Sequence, residues 1–560
     1  MKRTALLLLS ATIALAQDAP RPVDAPDVGR KVGASPFIDA LLKDAKAAVV
    51  ALTASDCPVS KLYRPKIARL TEEAAKNGVR IAIVHCNFGD APADGAHHDK
   101  DGSLAKLLGA RRTTEVFVID AARVLRYRGA VDDQYGVGYH REAPTKSYLA
   151  DAIAAVLAGK PVPVPATEAP GCAIEREPKP RDAAVTYHRD VEPILQERCQ
   201  ECHRPGQIGP FSLMSYADAK KNSKRLKEIV QRRLMPPWHA DPRHGAWQND
   251  RRLTDAQIDT IAKWVDAGSP EGDAKHAPPA RAWPEGWRIG TPDAIFTMPN
   301  AYRVPAEGAV PYHYARVKTD LKEDRWVQAM EVRPGARKVV HHVLVFVEYP
   351  RDRWKEQPII DGGLFHGYFA VMVPGEQPIV FPEGAGKFIP AGATLVFQIH
   401  YTPNGEEARD QSSIGLVWAK EKPKKEVVTR GVIKVDLGIP PGAENHKEQA
   451  TWRFPHDAKI LSFMPHMHVR GKSFRYVAID ADGKEEILLD VPKYDFNWQT
   501  TYRLKEPKLV RKGTRLRCIA HFDNSKNNPA NPDPKAFVRF GEQTWEEMLN
   551  GYVDYVKAGP

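Results

Sequence analysis

Cysteine is scarce in this chain: six occur in 560 residues, at Cys57, Cys86, Cys172, Cys199, Cys202 and Cys518. That excludes a scaffold held together by many disulfides in place of a hydrophobic core. Long apolar runs are missing as well. Beyond the N-terminus no stretch approaches the roughly 20 residues that a membrane-spanning helix needs, so no transmembrane segment is expected. Dense blocks of like charge are also absent. The formal net charge is +11, but Lys and Arg are spread along the chain. No nucleic-acid partner is expected; the excess suits an acidic partner or an anionic surface.

What is present divides the chain into parts. The length gives a soft expectation of about four domains of ~150 residues. The first 20 residues, MKRTALLLLSATIALAQDAP, carry Lys2 and Arg3, a short apolar run, and then Ala14-Leu15-Ala16. This is the pattern of a secretory signal peptide over residues 1–16, cleaved after Ala16. No cysteine follows for lipid attachment, and no arginine pair suggests the twin-arginine route. A retained anchor is the alternative, but the apolar run is too short to span. The expected location is periplasmic or secreted.

Residues 29–160 alternate strand-like and helix-like runs, which argues for an α/β sheet. The buried run AAVVALTAS ends at Cys57, where a helix begins, and helix N-terminal amides stabilise a thiolate. This part resembles a thioredoxin-like, or redoxin, domain. It departs from that family in reading Cys57-Pro58-Val59-Ser60, with serine in the second thiol position. It also has Ala54 where peroxiredoxins carry threonine, and Thr113-Thr114 where thioredoxins place a cis-proline. Cys57 is therefore a candidate redox thiol, with Cys86 and Cys172 both open as its resolving partner, or the domain is a docking module that keeps only the fold. Residues 161–184 are proline-rich and read as a semi-rigid linker.

Residues 185–273 contain Cys199-x-x-Cys202-His203, the spacing of a c-type haem attachment site. A zinc site would need a second ligand pair nearby, and none is found. A helix leads into the motif, and the amphipathic run TDAQIDTIAKWVDAG closes the segment with Thr254 as N-cap. Met235 is the candidate distal ligand, and methionine with histidine suits an electron-transfer haem; His239 is the alternative. With its MPPW run, this segment resembles small all-α cytochrome c domains.

Residues 291–423 and 424–560 are rich in short alternating runs with Pro and Gly turns, a signature of antiparallel β-sandwiches. Histidines recur in them: His341-His342, His400, then His466-x-His468, followed by Met548. On a strand, His466 and His468 project from one face, and imidazole suits copper among other metals. His341 and His342 are neighbours and would share a metal only at a twist, bulge or strand end.

In that order the set resembles the copper type II, ascorbate-dependent monooxygenases, the family of peptidylglycine α-hydroxylating and dopamine β-monooxygenases. The resemblance implies two jelly-roll-like sandwiches and two copper ions. His341, His342 and His400 would hold an electron-transfer copper. His466, His468 and Met548 would hold the copper at which O2 is used. Asn550 and Tyr552 match substrate-contacting positions. An arginine of the peptide enzymes is Met464 here, and Cys518 is the only cysteine of the two sandwiches, so the metal chemistry carries over better than the substrate.

The whole chain then reads as a multidomain, exported copper monooxygenase with two coppers and one haem c. It would hydroxylate an unknown organic substrate with O2. Electrons would come from an external donor, an ascorbate-like reductant or a periplasmic cytochrome, through the tethered haem. The alternative is a periplasmic electron-transfer or copper-binding protein without oxygenase activity. A third reading, a thiol–disulfide enzyme, rests on Cys57.

Overall fold

The computed structural model describes residues 20–91, 96–177, 184–356, 367–376 and 378–559. The predicted signal peptide, residues 1–16, lies outside the described residues. Among the described residues no helix is long and apolar enough to cross a membrane.

The N-terminal part is α/β. In chain order it contains α1 (Pro36–Leu42), β1 (Ala47–Thr53), α2 (Pro58–Lys76), β2 (Val79–His85), β3 (His97–His98), α3 (Ser103–Leu107), β4 (Val116–Asp120), β5 (Leu125–Gly129) and α4 (Tyr148–Leu157). The strands form one sheet in the order β3-β2-β1-β4-β5. The central strand β1 runs parallel to β2 and antiparallel to β4. It is apolar from Ala47 to Leu52 because both faces are covered. Ala47, Val49 and Ala51 join a core with α2 and α4, while Val50 and Leu52 join a second core on the opposite face with α1 and α3.

A helical segment follows: α5 (Glu192–Arg198), α6 (Tyr216–Lys221), α7 (Ser223–Gln231) and α8 (Asp255–Asp266). Its core is Tyr187, Leu195, Ile261 and Trp264 with their neighbours. Thr254 caps α8 in a reciprocal box with Gln257, as the sequence predicts. The segment is not self-contained. Trp238, Ala240 and Trp247 leave it and enter the core of the C-terminal β part, where Trp247 meets Phe463 and Tyr502 edge-on. The backbone follows: Lys505 N–H donates to Ala246 O at 2.8 Å and Gln248 N–H to Arg503 O at 2.8 Å. The helical core keeps one indole, Trp264, and the neighbouring sheet buries the other two.

The rest of the chain is β: β6 (Ala294–Thr297), β7 (His313–Lys318), β8 (Arg325–Arg333), β9 (Val340–Glu348), β10 (Ala370–Met372), β11 (Ala385–Ile389), β12 (Thr394–Tyr401), β13 (Ser413–Trp418), β14 (Lys425–Ile433), β15 (His446–Arg453), β16 (Ala458–His466), β17 (Gly471–Ile479), β18 (Glu485–Val491), β19 (Tyr502–Val510), β20 (Arg515–Phe522) and β21 (Asn550–Lys557). A four-stranded sheet, β7-β12-β9-β10, faces one half of a nine-stranded sheet. A second four-stranded sheet, β15-β20-β17-β18, faces the other half. The long sheet runs β19-β16-β21-β14-β11-β8-β13-β6, with Ile379–Val380 paired to β8 off that path.

The two halves are therefore not simply in series. The long sheet passes from one to the other through the parallel pair β11–β14, Ala385 opposite Lys425 and Gly386 opposite Glu426. A small apolar cluster containing Leu344, Tyr368, Val371, Met464 and Tyr552 fills the seam.

Trp247→Ala removes a side chain that is 2% exposed. By the usual cost of emptying an aromatic site it should destabilise the fold by about 3–5 kcal/mol. Denaturant unfolding followed by the fluorescence of the remaining tryptophans measures this, and an unchanged midpoint would contradict the insertion.

Candidate metal centre

The first histidine group is built by a strand defect. β9 and β12 pair with Val340 opposite Tyr401 and His342 opposite His400, and the register shifts between Val340 and His342. The extra residue in that bulge is His341. On a regular strand its ring would face away from His342; the bulge re-aims it. All three rings are buried. His341 Nδ1 lies 3.1 Å from His342 Nδ1 and 3.3 Å from His400 Nδ1. The ligand atoms of the three lie within 4.8 Å of one another.

The second group sits at the end of β16. His466 stands opposite Asn550 of β21, and His468 lies just past the strand. Their ring centroids are 5.2 Å apart. His466 Nδ1 contacts Gln499 Oε1 at 2.6 Å, and His468 Nδ1 contacts the carbonyl of Glu546 at 3.2 Å. Both partners are acceptors, so each Nδ1 carries the proton and each Nε2 keeps its lone pair. The backbone of Met548 is tied to that of His468 by the fully buried Glu547. One carboxylate oxygen of Glu547 accepts from His468 N–H at 2.9 Å and from Met548 N–H at 3.2 Å. Its other oxygen accepts from Arg470 N–H at 2.7 Å. Asn550 Nδ2 donates to Met548 Sδ at 3.2 Å and to Tyr552 Oη at 3.4 Å.

The two groups adjoin. The rings of His342 and His466 are 6.0 Å apart. Phe496 stacks on His341 at 4.9 Å and reaches His400 at 5.7 Å and His468 at 6.1 Å, so one apolar ring contacts both groups. Tyr312 closes the far side, 5.6 Å from His342 and 5.0 Å from His400.

Burial keeps these imidazoles neutral. It holds His341 and His466 down at about 4 and His468 at about 3. His342 and His400 lie well below the ordinary range, with neighbouring imidazoles adding to the effect. Neutral imidazole is the form that binds a metal. In the first group three Nδ1 atoms point at one another, and a neutral ring has only one N–H. The buried Nε2 atoms of His341, His342 and His468 have no hydrogen-bond partner. Buried polar atoms left in this state are costly, and a cation accepting their lone pairs removes the cost. The residues present therefore fit metal ions.

The haem motif lies elsewhere. Cys199 closes α5, and the N–H groups of Cys202 and His203 donate to Cys199 O at 3.1 and 3.0 Å. His203 Nδ1 contacts Phe211 O at 3.0 Å, which leaves the Nε2 lone pair free. A Cβ on Gly375 would fall 3.6 Å from Cys202 Sγ, so the motif abuts the first β half. Two free thiols and an imidazole with a free Nε2 are the donor set that a covalently attached haem would use. Met235 is half-buried in the turn after α7. His239 Nε2 is buried and unpartnered.

Gln499, Glu547, Phe496 and Tyr312 were not singled out from the sequence. Glu547 directly precedes Met548, and a carboxylate there was the one available hint. Gln499 and Phe496 lie in a loop with no pattern to mark them.

Residues 443–559 match the family model of the copper type II ascorbate-dependent monooxygenase, C-terminal domain. This module contains His466, His468 and Met548, so the C-terminal part of the chain is copper monooxygenase-like. None of the curated proteins matches the chain. Among solved structures, partial similarity extends to a hypothetical protein from Sinorhizobium meliloti 1021, with 24% identity over 28% of this chain and 96% of that one, at a TM-score of 0.22. An uncharacterized conserved protein from Geobacillus kaustophilus has 22% identity over 27% and 93%, at 0.24. The major capsid protein P2 from bacteriophage PM2 has 10% identity over 48% and 98%, at 0.21.

Gln499→Leu takes away the acceptor that fixes the His466 tautomer. Loss of such an outer partner typically costs 10–100-fold in metal affinity. Competition with a chelator should show one class of copper weakened by about that factor and the other unchanged; equal weakening of both, or of neither, contradicts the assignment.

Proposed function

We propose that this protein is an exported monooxygenase containing two coppers and one haem c, which hydroxylates an organic substrate with O2. The observation that carries the reading is the meeting of two neutral, buried histidine groups, one tied through Glu547 to the backbone of Met548, in a chain whose C-terminal module matches the copper monooxygenase family. His341, His342 and His400 would hold one copper, and His466, His468 and Met548 the other. Bound there, copper would supply the one-electron chemistry with which O2 is reduced and a C–H bond is hydroxylated. Cys199, Cys202 and His203 would hold the haem, with Met235 as its distal ligand, and the haem would supply electrons one at a time.

The chain's own groups have definable tasks. Gln499 and the Glu546 carbonyl keep the Nδ1 protons of His466 and His468 in place. Glu547 ties the backbones of His468, Arg470 and Met548 to one carboxylate. Phe496 and Tyr312 keep water from the rings. Asn550 and Tyr552, linked to each other beside Met548, would orient substrate. The helical segment, read as a cytochrome c domain, abuts the first β half and lends its tryptophans to the second. That supports electron delivery from a tethered donor, which an external reductant would recharge. The N-terminal α/β part, read as thioredoxin-like, would dock against the haem segment.

Met548→Ile removes the thioether and keeps the bulk. Reductant-driven O2 uptake across a substrate panel should fall to background, with copper retained at His341, His342 and His400. Unchanged O2 uptake with only lower copper content would favour an electron-transfer or copper-binding protein.

A further inference from the structure

The sequence left Cys57 without a partner inside its own motif, where the second thiol is Ser60, and left Cys86 and Cys172 both open. The fold supplies one from 115 residues away. Cys172, in the proline-rich linker, places its Sγ 3.5 Å from Cys57 Sγ, and both are free thiols. Thr113 holds the linker there: its N–H donates to Cys172 O at 2.9 Å, and its Oγ1 accepts from Cys172 N–H at 3.1 Å. The approach needs Gly171, since a Cβ there would fall 2.7 Å from Thr114 N. Cys86 is not a competitor. It belongs to the core on the opposite face of the sheet, and its thiol donates to Thr53 O at 3.2 Å.

The two sulfurs differ. Cys57 is fully buried at the N-terminus of α2, where Ser60 N–H at 3.5 Å and Thr113 Oγ1 at 3.1 Å point at its Sγ. Cys172 is half-buried and lines a cavity of about 380 Å3, within the roughly 300–1,000 Å3 of small-ligand pockets. The cavity wall carries four arginines against two glutamates, Arg112, Arg225, Arg232 and Glu228 among them. Glu228 is shared by Arg112 and Arg232. Arg225 is 5% exposed, and its Nε and Nη2 have no hydrogen-bond partner. It comes from α7 of the helical segment, where its Nη1 donates to Asp56 O at 3.0 Å and Asn222 Oδ1 at 3.1 Å, and it brings a buried cation to the dithiol. Burial alone would push the Cys57 thiol up. The hydrogen bond from Cys172, the Arg225 charge, and hydrogen bonds from Ser60 and Thr113 overcome this and hold it well below the ordinary range.

We propose that Cys57 and Cys172 form a redox-active disulfide that exchanges with small carboxylate-bearing thiols admitted through this cavity, with Cys172 as the sulfur they attack. In the oxidised protein a substrate thiolate bonds to Cys172 Sγ. The Cys57–Cys172 bond breaks, and its electron pair leaves on Cys57. A second substrate thiolate then attacks the substrate sulfur of the mixed disulfide and displaces Cys172. Two thiols become one disulfide, and the protein disulfide gains two electrons. One of the two released protons goes to Cys172 and the other to solvent, since Cys57 remains a thiolate. A low-pKa leaving group speeds the first step. The reverse reaction, with the corresponding disulfide, reoxidises the pair.

The test uses the full-length protein and glutathione. Incubation with oxidised glutathione followed by peptide mapping should yield a Cys57–Cys172 link whose population follows the ratio of reduced to oxidised glutathione. Cys57→Ser should instead accumulate glutathione on Cys172. Arg225→Lys retains a charge but moves it, and should shift the exchange equilibrium toward the disulfide by about tenfold, about 30 mV for a two-electron couple. Arg232→Glu, at the exposed rim, should slow exchange with glutathione by about tenfold and leave exchange with neutral mercaptoethanol unchanged. Absence of the link, a link indifferent to the glutathione ratio, or the same response of both thiols to Arg232→Glu would each overturn the proposal.

Discussion

Burying imidazoles without water obliges a fold to give every ring nitrogen a use. Five histidines meet at the junction of the two β halves, all buried, and the surrounding structure is arranged around that demand. On the His466 side the Nδ1 atoms are met by acceptors, Gln499 and the Glu546 carbonyl, while Nε2 of His468 is left unpaired. On the His341 side the demand is left open, with three Nδ1 atoms converging and Nε2 atoms unpaired. The first arrangement fixes tautomers, and the second creates a place that a cation would satisfy. Glu547 shows how far the scaffolding extends. A buried carboxylate is expensive, and burial pushes this one up to about 7. It persists because three backbone N–H groups around the site share it.

Much of this was legible in the sequence because the informative residues are rare ones at short spacing. His466-x-His468 on a strand needs only the twofold period, and Cys199-x-x-Cys202-His203 is local. The pair His341-His342 posed a geometric question, and the bulge between Val340 and His342, at the start of the strand, answers it in one of the ways the sequence left open. Residues joined only by tertiary structure were not legible. Gln499 comes from a loop 33 residues after its histidine. Cys172 and Cys86 were both open as partners of Cys57, and only the fold, which brings Cys172 in from 115 residues away, decides between them. The insertion of Trp238 and Trp247 into a neighbouring core was equally hidden, because an apolar side chain does not declare which core it will join.

Module boundaries drawn on sequence pattern follow the backbone better than the packing. The helical segment gives two tryptophans to the C-terminal sheet and takes a carboxylate, Glu175, from the linker, which accepts from Arg225 N–H at 2.8 Å near the start of α7. Arg225 in turn lies over Phe211, 5.0 Å from its ring centre, and Phe211 is the residue whose carbonyl meets His203. The dithiol, the haem motif and the α/β sheet thus share one set of side chains.

The parallel pairing of β11 with β14 has a mechanical consequence. Two lobes on a flexible tether could swing apart and change the gap between their histidines. Here the ladder is continuous across the junction, so a hinge would have to tear main-chain hydrogen bonds and empty the cluster around Met464 and Tyr552. The spacing between the two histidine groups is a rigid property of the body, adjustable by rotation of rings but not by motion of lobes.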